Sequence, residues 1–284
     1  MSYEISITSD AEAFAAVAAR FLGAQLEREQ LARILDGVLK GRYGGQRNHF
    51  ATVLDAHGEL VAAALRTPPH SLNCTQLPDL ALAPELVEVW LARDPDVVGV
   101  GAEPETARAI AAAWARRTGG ESELNVSMAM HAASAIEDPP RPVAGRLRLG
   151  AAADRGLLVR WWRAFYAEAE PLHPDDAEQA VAERFAGRAL YVWEDGGEVV
   201  SLIGARLTGS GYGWIGPVYT PPELRRRGYA GAGVAAASRR LLDAGASRCM
   251  LFTDLDNPTS NKISRAVGSR RFADWEDHRF VAPR

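Results

Sequence analysis

The stretch of the chain best suited to chemistry is VYTPPELRRRGYAGAGV, from Val218 to Val234. Three arginines, Arg225, Arg226 and Arg227, stand directly against Gly228, and small residues follow at Ala230, Gly231, Ala232 and Gly233. A short apolar strand precedes them and a helical pattern begins after them. The first N–H groups of a helix have no intrahelical partner and sit at the positive end of its dipole. An anion placed there gains several hydrogen bonds at once. Small residues leave room for a ligand to approach the backbone. A solvated run of charge would not need them. A nucleic-acid patch would more often interleave aromatic residues and spread its basic residues over a face. A cradle for a phosphate group is therefore the reading that uses every feature of the stretch.

Other chemistries find less support. No set of His, Cys and Asp shows metal-ligand spacing, so no metal is expected. Neither a GxSxG nor a Walker motif is present. The chain has 284 residues, 47% hydrophobic and 24% charged, with a formal net charge of −4. That composition suits a globular protein of two ordinary domains and argues against a nucleic-acid partner. Two cysteines, Cys74 and Cys249, suggest no disulfide scaffold and fit a reducing, cytoplasmic setting. The first residues do not resemble a signal peptide, and no apolar run approaches the ~20 residues of a membrane span, so no membrane partner is expected. Lysine occurs only at Lys40 and Lys262, a bias without functional meaning here.

The elements that must position this loop form an α/β (α+β) order. EDPPRPVAGR, Glu137 to Arg146, is rich in proline and reads as a linker over 137–146 between domains at 1–136 and 147–284. After it come a strand at RLRLG and a helix carrying Leu157, Leu158, Trp161, Trp162 and Phe165 at helical spacing. A second helix follows, then strands either side of EDGG, and a strand at GYGWIGPVYT. The remainder reads as a helix to Gly245, a strand at RCMLFTDLD, a short helix at NPTSNKISRAVG and closing strands. The first half carries a fainter copy: a strand, two helices, a hairpin over HFATVLDAHGELVAAALRT, a strand at VVGVG, a helix and a strand. The hairpin turns of the two halves match, which suggests an internal duplication.

Arg225-Arg226-Arg227-Gly228-Tyr229-Ala230 resembles the R/Q-x-x-G-x-G/A signature of the GNAT superfamily, the acyl-CoA-dependent N-acyltransferases. DLDNPTSNKISRAVG, about thirty residues on, resembles the family's other landmark, an asparagine opening a short helix that ends in glycine. The likeness extends over about Arg146 to Arg284 and is nearest to tandem-domain bacterial members. It implies a GNAT fold in the C-terminal half, with acetyl-CoA as cosubstrate. Val218, Tyr219 and Thr220 would then offer strand backbone to the pantetheine amides. The N–H groups from Arg226 to Gly231, through Arg227, Gly228, Tyr229 and Ala230, would hold the pyrophosphate. Arg225 would orient the loop or meet a phosphate. Asn257 would contact the pantetheine arm or serve as a plain helix cap with Pro258 behind it, and Asn261 would reach the cofactor from the same helix.

The sequence also departs from the family. A tyrosine that often protonates the leaving thiolate is replaced by Ser264, whose hydroxyl is far less acidic than a phenol of pKa about 10. Transfer needs a base for the acceptor's ammonium. Asp254 and His278 are candidates, each with a plain structural alternative, while Asp256 fits a support for the helix start. In the first half AEPETARAI follows VVGVG, with Glu103 and Glu105 where a pyrophosphate would be repelled. That half reads as a degenerate GNAT-like domain, a platform that shapes the acceptor site or a homodimer. Acidic residues Glu168, Glu170, Asp175 and Asp176 cluster at a helix junction and would attract a cationic acceptor, or are simply solvated. The expected activity is acetyl transfer to the amine of a small molecule or peptide. The alternative is a catalytically silent acyl-CoA-binding or interaction protein.

Overall fold

A computed structural model describes residues 2–43, 47–139, 141–169 and 176–283. Contacts divide the chain into one unit of Met1–Ala129 with Ala273–Arg284, and a second of Met130–Phe272. The first repeat runs β1 (Glu4–Thr8), α1 (Ala11–Gly23), α2 (Glu29–Leu39), β2 (His49–Leu54), β3 (Leu60–Arg66), β4 (Leu72–Cys74), α3 (Ala83–Leu91), β5 (Gly99–Ala102), α4 (Pro104–Thr118) and β6 (Glu121–Ala133). The second runs β7 (Arg146–Leu149), α5 (Arg155–Ala169), α6 (Ala177–Ala186), β8 (Leu190–Asp195), β9 (Glu198–Leu207), β10 (Gly213–Tyr219), α7 (Tyr229–Asp243), β11 (Cys249–Asp254), α8 (Pro258–Ala266) and β12 (Arg270–Val281). The order of strands and helices is the same in both.

Two elements, β4 and α3, do not show in the sequence pattern of the first half. β4 has only three residues, and α3 starts within the proline-flanked segment PDLALAP. Their presence changes which connection is the counterpart of the arginine loop. It is the β4–α3 connection, not the one after β5. There Leu77 and Leu82 are buried, Asp79 caps a short turn, and the Leu77 N–H is taken by the Thr106 hydroxyl at 3.0 Å. No arginine–glycine loop occurs in this connection either.

The contact units also differ from the expected domains of 1–136 and 147–284, with the linker at 137–146. Glu276–Arg279 of β12 pair antiparallel with Ala102–Gly99 of β5, which puts Ala273–Arg284 in the first unit. Met130–Ala133 of β6 belong to the second unit, whose strand order places β6 beside β11. Hydrogen bonding, not chain proximity, decides where a terminal strand belongs.

In the second unit β7, β8, β9 and β10 pair antiparallel in sequence order. Alternation along the strands splits their side chains. Tyr191, Trp193, Ile203 and Ala205 pack towards α7, while Leu190, Val192, Leu202 and Tyr219 pack with α5 and α6. α7 lies very close to β9, since a Cβ added at Gly233 would come 2.6 Å from Ile203 Cδ1. β10 and β11 run parallel but pair only at Gly213–Cys249 and Trp214–Met250. Beyond those pairs the strands part. No helix among the described residues is long and apolar enough to cross a membrane.

Candidate functional site

The fork between β10 and β11 comes from a fault in β10. Its register against β9 shifts between Ile215 and Val218, so Gly216 and Pro217 form a bulge. The Arg184 guanidinium holds the Gly216 carbonyl at 2.9 Å. A bulge bends its strand and ends regular pairing, which leaves the β11-facing edge of Val218 and Tyr219 outside the ladder.

The arginine loop leaves the open end of β10 and turns into α7. Arg226 and Gly228 both have left-handed backbone, with φ of 65° and 88°. For Gly228 the need is double, because a Cβ there would meet Val143 Cγ2 at 2.9 Å. The first intrahelical bond of α7 runs from the Ala232 N–H to the Gly228 carbonyl at 3.0 Å. The N–H groups of Tyr229, Ala230 and Gly231 therefore have no intrahelical acceptor. A Cβ at Gly231 would touch nothing within 4 Å. So a helix N-terminus with free donors faces open space at the glycine that lies one turn in. That is the shape and polarity a pyrophosphate requires, and acetyl-CoA fits the residues present on this count.

The three arginines are not equivalent. Arg225 donates from Nε to the Thr220 carbonyl at 2.9 Å and from Nη2 to Glu168 at 2.5 Å. These contacts tie it to the end of β10 and to α5. Arg227 makes a long contact to the Glu223 carbonyl, and both Arg226 and Arg227 are exposed. Tyr219 is buried, and its hydroxyl donates to Glu168 at 3.2 Å. Burial, then the Glu168 charge, push the Tyr219 phenol above its ordinary pKa. Ser201 bonds both the Tyr219 carbonyl and the Thr220 hydroxyl, which secures the strand end from the β9 side. Tyr229 is a core aromatic whose hydroxyl donates to Asp195 at 2.7 Å. Only its backbone is left for a ligand.

On the other side of the fork, the candidates serve their own turn. Asn257 caps α8 by accepting from the Thr259 and Ser260 N–H groups at 3.1 Å. Asn261 accepts from Thr253 and donates to the carbonyls of Asp254, Leu255 and Asn257. Its donors are spent on the β11–α8 turn. Asp254 accepts from the Asp256 N–H at 2.8 Å, a local turn. The Ser264 hydroxyl is buried and donates to the Ser260 carbonyl at 3.0 Å, one turn back in α8. His278 belongs to the first unit, where its Nε2 lies 2.9 Å from Glu276, which also binds Arg108. Of the acidic cluster, Glu168 is paired with Arg225 and Asp176 caps α6, while Glu170 and Asp175 lie outside the described residues. Among the described residues no group of three or more His, Cys, Asp or Glu could hold a metal.

One contributor had no signal in the sequence: Val143, in the proline-rich segment, packs under Gly228. Glu168 was singled out as part of an acidic cluster, but its link between Tyr219 and Arg225 was not visible there. Both contacts join residues distant in the chain.

Residues 157–268 match the model of the Acetyltransferase (GNAT) family. Solved structures share the fold over the full length. A GCN5-related N-acetyltransferase from Sphaerobacter thermophilus is 18% identical, with 99% of this chain and 96% of that one covered at a TM-score of 0.61. A GNAT-family acetyltransferase from Colwellia psychrerythraea is 13% identical over 99% and 100%, with a TM-score of 0.60. A tandem GNAT protein of the clavulanic acid biosynthesis pathway is 14% identical over all of both chains, with a TM-score of 0.58. None of the curated proteins compared with the chain matches it.

Proposed function

We propose, from the match of residues 157–268 to the GNAT acetyltransferase family and the fold shared with a tandem GNAT protein, that the chain moves an acetyl group from acetyl-CoA to the amine of a small molecule or peptide by direct attack. The carrying observation is the conjunction of the β10–β11 fork with the open, donor-rich start of α7. Bound acetyl-CoA would supply a thioester that an amine can attack without a covalent enzyme intermediate. The N–H groups from Arg226 to Gly231 would hold its pyrophosphate, with Arg226 and Arg227 adding charge. The unpaired edge of β10 at Val218 and Tyr219 would receive the pantetheine amides, while Thr220 contributes less, its carbonyl being held by Arg225.

Ser264 does not suit the acid role, since its hydroxyl is buried and already donates to its own helix. Tyr219 suits it better. Its raised pKa keeps the phenol protonated across the neutral range, and to serve as acid it would exchange its 3.2 Å hydrogen bond to Glu168 for one to the developing negative charge. Glu168 and Arg225 fix where that hydroxyl points. A silent acyl-CoA-binding protein remains the competing reading, and the missing tyrosine at position 264 is what favours it. Incubating the full chain with acetyl-CoA and a panel of amines, while following free CoA thiol, separates the two. Acceptor-dependent thiol release supports transfer. Tight acetyl-CoA binding with no release for any amine class supports the silent reading.

A further inference from the structure

The first unit contains a cavity of about 280 Å³ lined by Ile7, Thr8, Ser9, Arg47, His49 and Arg93. It lies where β1 ends and β2 begins, just past the end of α3. β1, β2, β3 and β4 alternate in direction. This edge is therefore opposite to the one where β4 ends, which is where a cradle like that of the second unit would stand.

The charges around the cavity do not cancel. Arg47 and Arg93 carry no ion pair or hydrogen bond from their side chains among the described residues. The nearby acids are already used. Asp94 is gripped through both oxygens by Arg66 at 2.6 Å and also accepts from Trp90 at 3.2 Å. The same Arg66 is filled by the carbonyls of His70 and Asp96. Asp10 caps α1 through the Glu12 and Ala13 N–H groups. His49 is 6% exposed, with its ring edge-on to Trp90 and its Nδ1 3.1 Å from the Ser9 hydroxyl. When Ser9 donates to Nδ1, the neutral ring keeps its proton on Nε2, a donor left for a ligand. Two free guanidiniums, a hydroxyl and a buried imidazole around one concavity match an oxyanion, because guanidinium pairs with carboxylate or phosphate in a fork.

We propose that this cavity binds a small molecule through a carboxylate or phosphate group, held by Arg47 and Arg93 with Ser9 and His49. The site is independent of the acetyl-CoA cradle. The test is a titration of the full chain with inorganic phosphate and, separately, with succinate, read at the ring resonances of His49, which His49→Gln identifies. The proposal expects a saturable shift in the millimolar range with at least one of the two anions, and which one responds names the class. The shift should survive in Gly231→Glu, which blocks the cradle of the second unit. It should weaken about tenfold in Arg93→Gln or Arg47→Gln, roughly one charged hydrogen bond. No shift with either anion overturns the site. So does a shift that persists unchanged in the arginine variants, or one that disappears in Gly231→Glu.

Discussion

At the scale of single residues, both candidate hydroxyls are already hydrogen-bonded, Ser264 to the Ser260 carbonyl at 3.0 Å and Tyr219 to Glu168 at 3.2 Å. They differ in acidity and in the firmness of that hold. Ser264→Ala should therefore lower kcat by less than about tenfold, short of the hundredfold or more that a direct acid–base group contributes. Tyr219→Phe should cost about a hundredfold in kcat with acetyl-CoA affinity little changed. Steady-state kinetics on the two variants side by side reads this ordering, and the reverse order would return the acid role to α8. The phenol must be protonated to act, and its pKa is raised. Its loss of function therefore belongs above pH ~10, so the phenol causes no fall in rate between neutrality and that range. Arg225→Ala should release both the Tyr219–Glu168 pair and the Thr220 carbonyl, and so lower kcat more than acetyl-CoA affinity.

At the scale of elements, glycines that look alike in the sequence carry different loads. Gly228 is needed for its φ of 88° and for Val143, so its replacement disturbs folding as well as any ligand. Gly233 is needed for the contact with β9. Gly231 faces open space and is the one that reports on binding alone. The strand–loop–helix order around them was legible because proline, arginine and glycine stand at fixed places between apolar runs. The short β4 and α3 were not, because three residues show no alternation and α3 has only nine residues, with Pro84 in its first turn. The roles of Asn261 and Ser264 were not legible either. A side chain bonded to its own turn looks in sequence like one aimed at a ligand.

β7 offers a test of electrostatics on the same scale. Arg148 binds Asp154 at 2.6 Å and also Glu194, tying β7 to the start of α5 and to β8. The hydrogen bond from Arg148 holds the Asp154 carboxyl below its ordinary pKa, with a further contribution from the Ala151 N–H. A carboxylate with a lowered folded pKa stabilises fully above its unfolded value of ~3.9, and that stability fades as pH falls through the folded value. Asp154→Asn should cost about 2 kcal/mol at pH 7 by urea unfolding. The gap from the unaltered protein should close as the pH falls below about 4. A gap that stays constant with pH would mean that the pair contributes through packing alone.

At the scale of the whole molecule, the same order of elements occurs twice, but only the second copy keeps the arginine–glycine loop. The duplication was readable from the matching hairpins. The assignment of the last strand was not, because β12 follows the second repeat in sequence yet pairs with β5. Deleting Ala273–Arg284 should therefore expose the β5 edge and destabilise the first unit most, which hydrogen exchange resolves strand by strand. Protection lost only from the second unit would contradict that assignment.

The most direct test of the central claim is calorimetric titration of acetyl-CoA into the unaltered chain and into Gly231→Glu, with folding checked by circular dichroism. The cradle at α7 predicts a single site in the first and a loss of at least about a hundredfold in affinity, near 2.7 kcal/mol, in the second. Unchanged affinity in a folded Gly231→Glu chain would contradict it.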